Sequence, residues 1–376
     1  MKLLHLSDLH LGRRLCEMDL LQDQEYILQQ CVTLAKEHKV SAVLVAGDVY
    51  DRSVPTVGAV NLLDRFLNQL AQEQIAVYII SGNHDSADRL GFGSKLLQSN
   101  GIYLSSVFEN GLEHYQLQDE HGVLHLWALP FIRPSMIRSC WPQEDICDYT
   151  DAVRTVIKHA NIDASARNVM MAHQFVTAGG KSPETCDSES LNLGTLDNVD
   201  VSVFDVFDYV ALGHIHGPQQ VGRETVRYCG SPLPYSVSEV RHKKSAVLVE
   251  LGAKGQVSWK LLPLESKRAL RRLEGPLEEL LEHAQPSDDY IYVILTDETP
   301  QFNAAAKLRS VYPNLVKLEF APRTQNKQTH QLTGEDISQK SLLQLFDDFY
   351  QVVHNRSMNE EECSVMQTLC EEVEQQ

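Results

Sequence analysis

In the stretch ALGHIHGP, His214 and His216 stand two residues apart at the end of an apolar run that stops at Gly217-Pro218. Side chains at i and i+2 of an extended segment leave the same face, so both imidazoles can converge on one point, as metal ligands do. Two histidines at a strand end can equally be ordinary turn residues. The rest of the chain repeats the pattern. Four more apolar runs, KLLHLS, SAVLVAG, AVYIISG and NVMMAH, end on Asp8 and His10, on Asp48, on Asn83 and His84, and on His173. Taken singly, each is the kind of residue that caps a strand or starts a turn. Together they predict one site at the carboxyl edge of a sheet, where open α/β folds gather their ligand groups.

The residue types narrow the chemistry. Asp8, His10, Asp48, Asn83, His173, His214 and His216 form a mixed oxygen and nitrogen set with no thiolate. Such a set suits Mn, Fe or Zn in preference to Ca or to a sulfur-bound structural site. Seven side chains are too many for one ion. If Asp48 bridges, two ions about 3.5 to 4 Å apart can each take four protein groups and leave room for water and substrate oxygens. That is the layout of a two-metal hydrolase.

These residues need a scaffold, and the chain supplies an α/β rhythm up to about Leu264. The apolar runs are too short for buried helices and rich in Val, Ile, Leu and Ala, as parallel strands are. Between them, DLLQDQEYILQQCVTLAKEHK and VGAVNLLDRFLNQLAQEQ place apolar residues at three and four spacing, as helices lying on a sheet do. From Glu265 the texture changes to strand, helix, strand, helix, strand, which predicts a small separate α+β domain over 265–323. The polar stretch 324–340 reads as a linker. Residues 341–376 then offer two amphipathic helices, one marked by Leu342, Leu343, Leu345, Phe346, Phe349, Val352 and Val353, the other by Met358, Val365, Met366 and Leu369. Two short helices bury little alone, so a partner or the chain's own body must cover them.

Composition sets further bounds. The 376 residues are 43% hydrophobic, ample for a core. A balance of 33 basic against 51 acidic residues, net −18, argues against a simple basic groove that grips nucleic acid by counterion release. RHKK at 241–244 and KRALRR at 267–272 are local exceptions, although such runs are commonly solvated faces. The eight cysteines include no CxxC pair, and His5, Ser7 and Asp8 interrupt the first apolar run too early for a signal peptide, so a reduced, cytoplasmic protein without membrane spans is expected. The Gly-Lys-Ser at 180–182 is no P-loop, because Phe175 stands where the motif needs glycine and Pro183 follows where a helix should run.

The ordered series D-x-H, G-D-x-x-D, G-N-H-D, a lone histidine and G-H-x-H resembles the calcineurin-like metallophosphoesterases. The wording LSDLHLGRR, AGDVYDRSVPT, SGNHDS, ALGHIHGPQ and YCGSPLPYSVSE is similar to one family within them, the D subunits of bacterial SbcCD nucleases, counterparts of the double-strand-break repair nucleases. The resemblance implies a two-sheet sandwich flanked by helices over 1–264, a small α+β capping domain over 265–323, and C-terminal helices over 341–376 that dock on an SMC-like ATPase of the SbcC type. It implies two divalent cations, Mn2+ foremost, one on Asp8, His10, Asp48 and His216 and the other on Asp48, Asn83, His173 and His214. His84 is left without a metal; the family's histidine at this place contacts the scissile phosphate and helps the leaving oxygen depart, with Asp51 orienting its ring. The implied activity is two-metal hydrolysis of DNA: a 3'-5' exonuclease on double-stranded ends and an endonuclease on single strands and hairpins, in replication, recombination and repair. The chain would work as a homodimer inside a heterotetramer. Two other readings stay open, a small-molecule phosphodiesterase or phosphatase, and a non-catalytic scaffold for the ATPase.

Overall fold

The structure is a computed structural model and describes residues 1–189, 197–299, 301–321, 342–354, 356–359 and 362–366. The expected linker over 324–340 and Leu369 lie outside the described residues. The chain divides into two units, Met1–Ala321 and Pro322–Gln376.

In chain order the strands of the first unit's two large sheets are β1 (Lys2–Leu6), β2 (Ala42–Ala46), β3 (Ala76–Ile80), β4 (Ile102–Ser105), β5 (Glu113–Asp119), β6 (Gly122–Leu129), β7 (Arg167–His173), β8 (Tyr209–Gly213), β9 (Gln219–Val221), β10 (Arg223–Tyr228), β11 (Ser245–Leu251) and β12 (Val257–Pro263). One six-stranded sheet has the order β12-β11-β1-β2-β3-β4, and the other β9-β10-β8-β7-β6-β5. The parallel strands are β1 through β4 in the first sheet, with β4 at its edge, and β6, β7, β8 and β10 in the second; β11 and β12 of the first and β5 and β9 of the second pair antiparallel. Central parallel strands are covered on both faces, which is why β2 reads AVLVA without a polar residue.

Three apolar layers hold this unit together. Leu3, Leu44 and Ile80 of the first sheet meet Leu126, Met171 and Ala211 of the second in the layer between the sheets. The other face of the first sheet is covered by helices α1 (Leu21–Glu37) and α2 (Val57–Gln72), through Ile27, Cys31, Phe66 and Leu70 among others. The other face of the second sheet is covered through Ala152, Val153 and Val156 of helix α3 (Tyr149–His159). A polar pin crosses the inter-sheet layer: His5 of β1 places Nδ1 3.0 Å from the Tyr209 hydroxyl and Nε2 3.1 Å from the Leu212 carbonyl. Burial pushes this imidazole down to about 3, so it stands neutral there. The carboxyl ends of both parallel sets open on the same edge, since His173 at the end of β7 bonds the Ala46 carbonyl at the end of β2 (2.8 Å) and the His214 amide after β8 bonds Asp8 after β1 (2.9 Å).

The segment after Leu264 forms strand, helix, strand, helix, strand as expected: β13 (Leu270–Gly275), α4 (Leu277–Glu282), β14 (Tyr290–Leu295), α5 (Ala304–Val311) and β15 (Leu315–Phe320). The three strands are all parallel, because each helix serves as a crossover. Ile291, Val293, Leu295, Leu277, Leu308 and Tyr312 give this sheet a core of its own.

In the second unit, helix α6 spans Leu342–His354, and residues 362–366 are helical. Tyr350 and Arg356 both bond to the Glu362 carboxylate, at 2.6 and 2.7 Å. Phe349 of α6 is exposed. No helix among the described residues is long and apolar enough to cross a membrane.

Candidate metal centre

All seven residues expected as ligands meet at the shared carboxyl edge. Each lies within four residues of the end of β1, β2, β3, β7 or β8, and the chain turns sharply to place them. Asp8, His10, Asp48 and His214 have positive φ, of 51°, 41°, 48° and 103°. Such backbone costs a side-chain-bearing residue on the order of 1 kcal/mol or more and persists only where the surroundings enforce it. Here the loops enforce one another. The His10 amide donates to the Asp48 carbonyl (2.9 Å), the His214 amide to the Asp8 carboxylate (2.9 Å), and the His84 amide to Asp48 Oδ1 (2.9 Å). Asp85, the last letter of G-N-H-D, accepts amides from Gly82, Val49 and Tyr50 at 2.9 to 3.0 Å and so locks the Asp48 turn to the Asn83 turn.

The donor atoms fall into two groups around one oxygen. Asp48 Oδ2 lies 3.5 Å from His10 Nε2 and 3.3 Å from His173 Nε2. On one side His10 Nε2 and His216 Nε2 face each other at 3.1 Å, and Asp8 lies within ligand reach of both. On the other, Asn83 Oδ1 is 3.1 Å from His173 Nε2 and 2.9 Å from His214 Nδ1. His173 Nδ1 donates to the Ala46 carbonyl at 2.8 Å, so Nε2 is the ring atom that faces inward. Two imidazole nitrogens at van der Waals contact or closer need a proton or a cation between them. The donor set therefore fits two divalent cations sharing Asp48.

Electrostatics agree. Burial takes His10 well below its ordinary range and His214 down to about 3, which leaves both as neutral ligands. Burial pushes Asp8 up to about 6 against the pull of His173 and His216. Burial also acts to raise Asp48, but His173 and His10 outweigh it and hold that carboxyl well below the usual carboxylate range. Asp48 in turn overcomes burial at His173 and lifts it to about 9. A cation entering here must displace that proton, so its affinity falls as pH is lowered.

His84 and Asp51 stand beside the two groups. The His84 ring packs edge-on against His10 with centroids 4.9 Å apart, and its donor atom lies close enough to group with His10 and Asp48. His84 Nδ1 contacts the Asp51 backbone carbonyl at 3.1 Å. The Asp51 carboxylate takes a 2.7 Å bond from Arg13 Nη1 and lies 3.9 Å from His10 Nδ1. Asp51 thus reaches the His84 ring through its main chain.

Several residues of the site were not expected from the sequence. Gln24 donates to the His10 carbonyl at 2.8 Å, and the Tyr235 hydroxyl to the Leu9 carbonyl at 2.5 Å. Ser188, Glu189, Glu239 and Lys244 surround His216. Tyr235 and Glu239 lie in the stretch YCGSPLPYSVSE, and Glu239 has a second local signal, the S-x-x-E capping box at Ser236. Cys186 also lies within ligand distance of His216 and Glu239, but both oxygens of that carboxylate are already engaged, by Ser188 and by Lys244. One residue past His216 an open groove begins, lined by Lys181, Ser182, Gln220, His242 and Lys243. Gln219 joins its walls, accepting from the Glu184 amide at 2.9 Å and donating to the Glu184 carbonyl at 2.8 Å.

The glycine of G-H-x-H has a steric reason. A Cβ at Gly213 would sit 1.8 Å from the Ala46 carbonyl oxygen and 2.8 Å from His173 Nδ1. Gly213→Ala must push β8 away from β2 and tilt His173, so a loss of about 3 kcal/mol or more is expected in urea unfolding. A variant as stable as the parent would refute this packing.

The chain is similar to known proteins in sequence. Residues 1–218, which carry every ligand candidate, match the calcineurin-like phosphoesterase family, and residues 266–354 match the type 5 capsule protein repressor C-terminal domain. The chain is 32% identical over 325 residues to the D subunit of the SbcCD nuclease of Staphylococcus epidermidis, covering 85% of each chain. Among solved structures it is similar to an archaeal phosphodiesterase (11% identity, TM-score 0.33, 70% of this chain and 100% of that one) and to a dimetal phosphatase from Danio rerio (12%, 0.40, 71% and 99%). With its ligand candidates inside a matched phosphoesterase region and an SbcCD nuclease relative aligned along most of its length, the chain belongs to the SbcD family of calcineurin-like phosphoesterases.

Proposed function

We propose that this chain is the nuclease component of an ATP-driven complex and hydrolyses DNA phosphodiesters with two Mn2+ ions. The observation that carries this is the single Asp48 oxygen set between His10 and His173, with three further donor residues on either side. Asp8, His10, Asp48 and His216 would hold one cation and Asp48, Asn83, His173 and His214 the other. Such a pair neutralises an already anionic phosphodiester and makes water a competent nucleophile near neutral pH. The protein's own part is positional. The interlocked turns fix the donors before substrate arrives, and His84, held at Nδ1 by the Asp51 carbonyl, would meet the departing oxygen through Nε2. Asp51 and Arg13 brace that corner.

The finer activities proposed are 3'-5' exonuclease on duplex ends and cleavage of single strands and hairpins, in replication and recombination or repair, by a cytoplasmic protein. The domain reading proposed is nuclease 1–264, cap 265–323 and helical segment 341–376. The separate core of β13, β14 and β15 supports the cap, and the exposed Phe349 on α6 supports docking of an SMC-like ATPase, with the chain as a homodimer in a heterotetramer. The direct test incubates the full chain, alone and with its ATPase partner, with hairpin-capped duplex in Mn2+, in Mg2+ and in chelator. Metal-dependent cleavage is expected; none under any condition would return the choice to a small-ester hydrolase or a scaffold.

The groove that begins one residue past His216 is proposed as the path of the DNA strand, since it is lined by Lys181 and Lys243 in a chain of net charge −18. Lys181→Ala with Lys243→Ala should shrink the slope of log K against log salt by about two, one phosphate contact each, and leave hydrolysis of a small aryl phosphodiester unchanged. An unchanged salt slope would place the strand elsewhere.

A further inference from the structure

His216 is tied down at every polar atom but one. Its amide donates to Glu189 Oε1 at 2.6 Å, and its carbonyl accepts from Lys244 Nζ at 3.0 Å and from the Ser231 amide at 3.2 Å. Its ring Nδ1 lies 2.8 Å from Ser188 Oγ. The Ser188 hydroxyl donates to Glu239 Oε1 at 2.5 Å, so the same oxygen must accept from His216 Nδ1–H. That fixes the tautomer and leaves the lone pair on Nε2, the atom that faces His10.

Behind the hydroxyl, Glu239 is fully buried and paired with Lys244, itself 4% exposed, at 2.5 Å. Glu239 Oε1 also accepts the amides of Tyr235 and Ser236 at 3.0 Å each, so this carboxylate cannot swing away. A buried ion pair is a poor device for stability, since its desolvation offsets most of its attraction. It is a good device for delivering fixed negative charge to an imidazole. His173, by contrast, has only the neutral Ala46 carbonyl on its Nδ1.

We infer that Ser188, Glu239 and Lys244 are positioning residues: a Lys–Glu–Ser relay that sets the tautomer and basicity of His216 and so strengthens one of the two cation sites selectively. The inference rests on the two-cation reading of the centre. It makes the two sites unequal, and the more strongly supported one is that of Asp8, His10, Asp48 and His216. It also ties that site to the 178–189 loop, whose residues Lys181 to Glu184 line the groove.

The test is calorimetric titration of Mn2+ into the full chain after chelator treatment, with no turnover involved. Two ions per wild-type chain would uphold the centre itself, and fewer than two would overturn both the centre and the relay. Given two, Ser188→Ala and Glu239→Gln should each weaken one site by about 10-fold to 100-fold and leave the other unchanged. Ser188→Thr, which keeps the hydroxyl, should restore the weakened site. Equal weakening of both sites, no weakening of either, or a Thr variant as weak as Ala would overturn the relay while leaving the two-cation centre standing.

Discussion

Asp48→Asn is expected to strip the protein of both divalent cations at micromolar metal and to lower phosphodiester cleavage by about 10³-fold or more. The substitution keeps the shape of the side chain, and its amide oxygen can still accept the His84 amide that now bonds Oδ1 at 2.9 Å. What changes is the other atom. Oδ2, between His10 Nε2 at 3.5 Å and His173 Nε2 at 3.3 Å, becomes an NH2 group that donates toward two ligand nitrogens and carries no charge. Losing the metals forfeits several kcal/mol of transition-state charge stabilisation, which sets the expected scale of the rate loss. Asn83→Ala, lacking a shared oxygen, should weaken one site and spare the other. Metal content by emission spectroscopy after gel filtration, read beside cleavage of hairpin DNA, separates the cases. An Asp48→Asn protein that retains two ions would show that Asp48 is no bridge.

The parts of this centre legible in the sequence are those the chain's own periodicity announces. Parallel strands buried on both faces read as short apolar runs, so KLLHLS, SAVLVAG, AVYIISG, NVMMAH and YVALGH mark β1, β2, β3, β7 and β8, and the residues after them fall on the shared edge. Asp85 stood in plain sight inside G-N-H-D, yet its task, three amide bonds across two turns, depends on a partner loop 35 and 36 residues away. Ser188 and Glu239 were harder still. They come from segments 51 residues apart, and the Ser188 hydroxyl bridges His216 and Glu239 only once β8 has delivered His216 beside it. A capping box at Ser236 accounts for a glutamate at 239 locally, which hides the second use of its carboxylate. Asp51 shows the limit from the other side: a motif supplies the residue type, whereas the contact to His84 runs through a carbonyl that any residue possesses.

His84→Gln should leave both cations bound and lower cleavage of hairpin-capped duplex by about 10² to 10⁴, the range a positioned proton donor contributes. Glutamine can replace the 3.1 Å contact to the Asp51 carbonyl through its amide, so the site's packing is kept, but it cannot deliver a proton. The effect must then depend on the leaving group. A deoxyribose alkoxide is strongly basic and needs protonation as it departs, whereas an aryl oxide leaves unaided. The variant should therefore cleave an activated aryl phosphodiester at near the parental rate while failing on DNA, with metal content the same in both proteins. Equal losses on the two substrates would make His84 a binding residue for the phosphate and no proton donor. Full activity on both, in a protein that still holds two ions, would remove it from catalysis and leave the leaving oxygen to be met by water or by the cations alone.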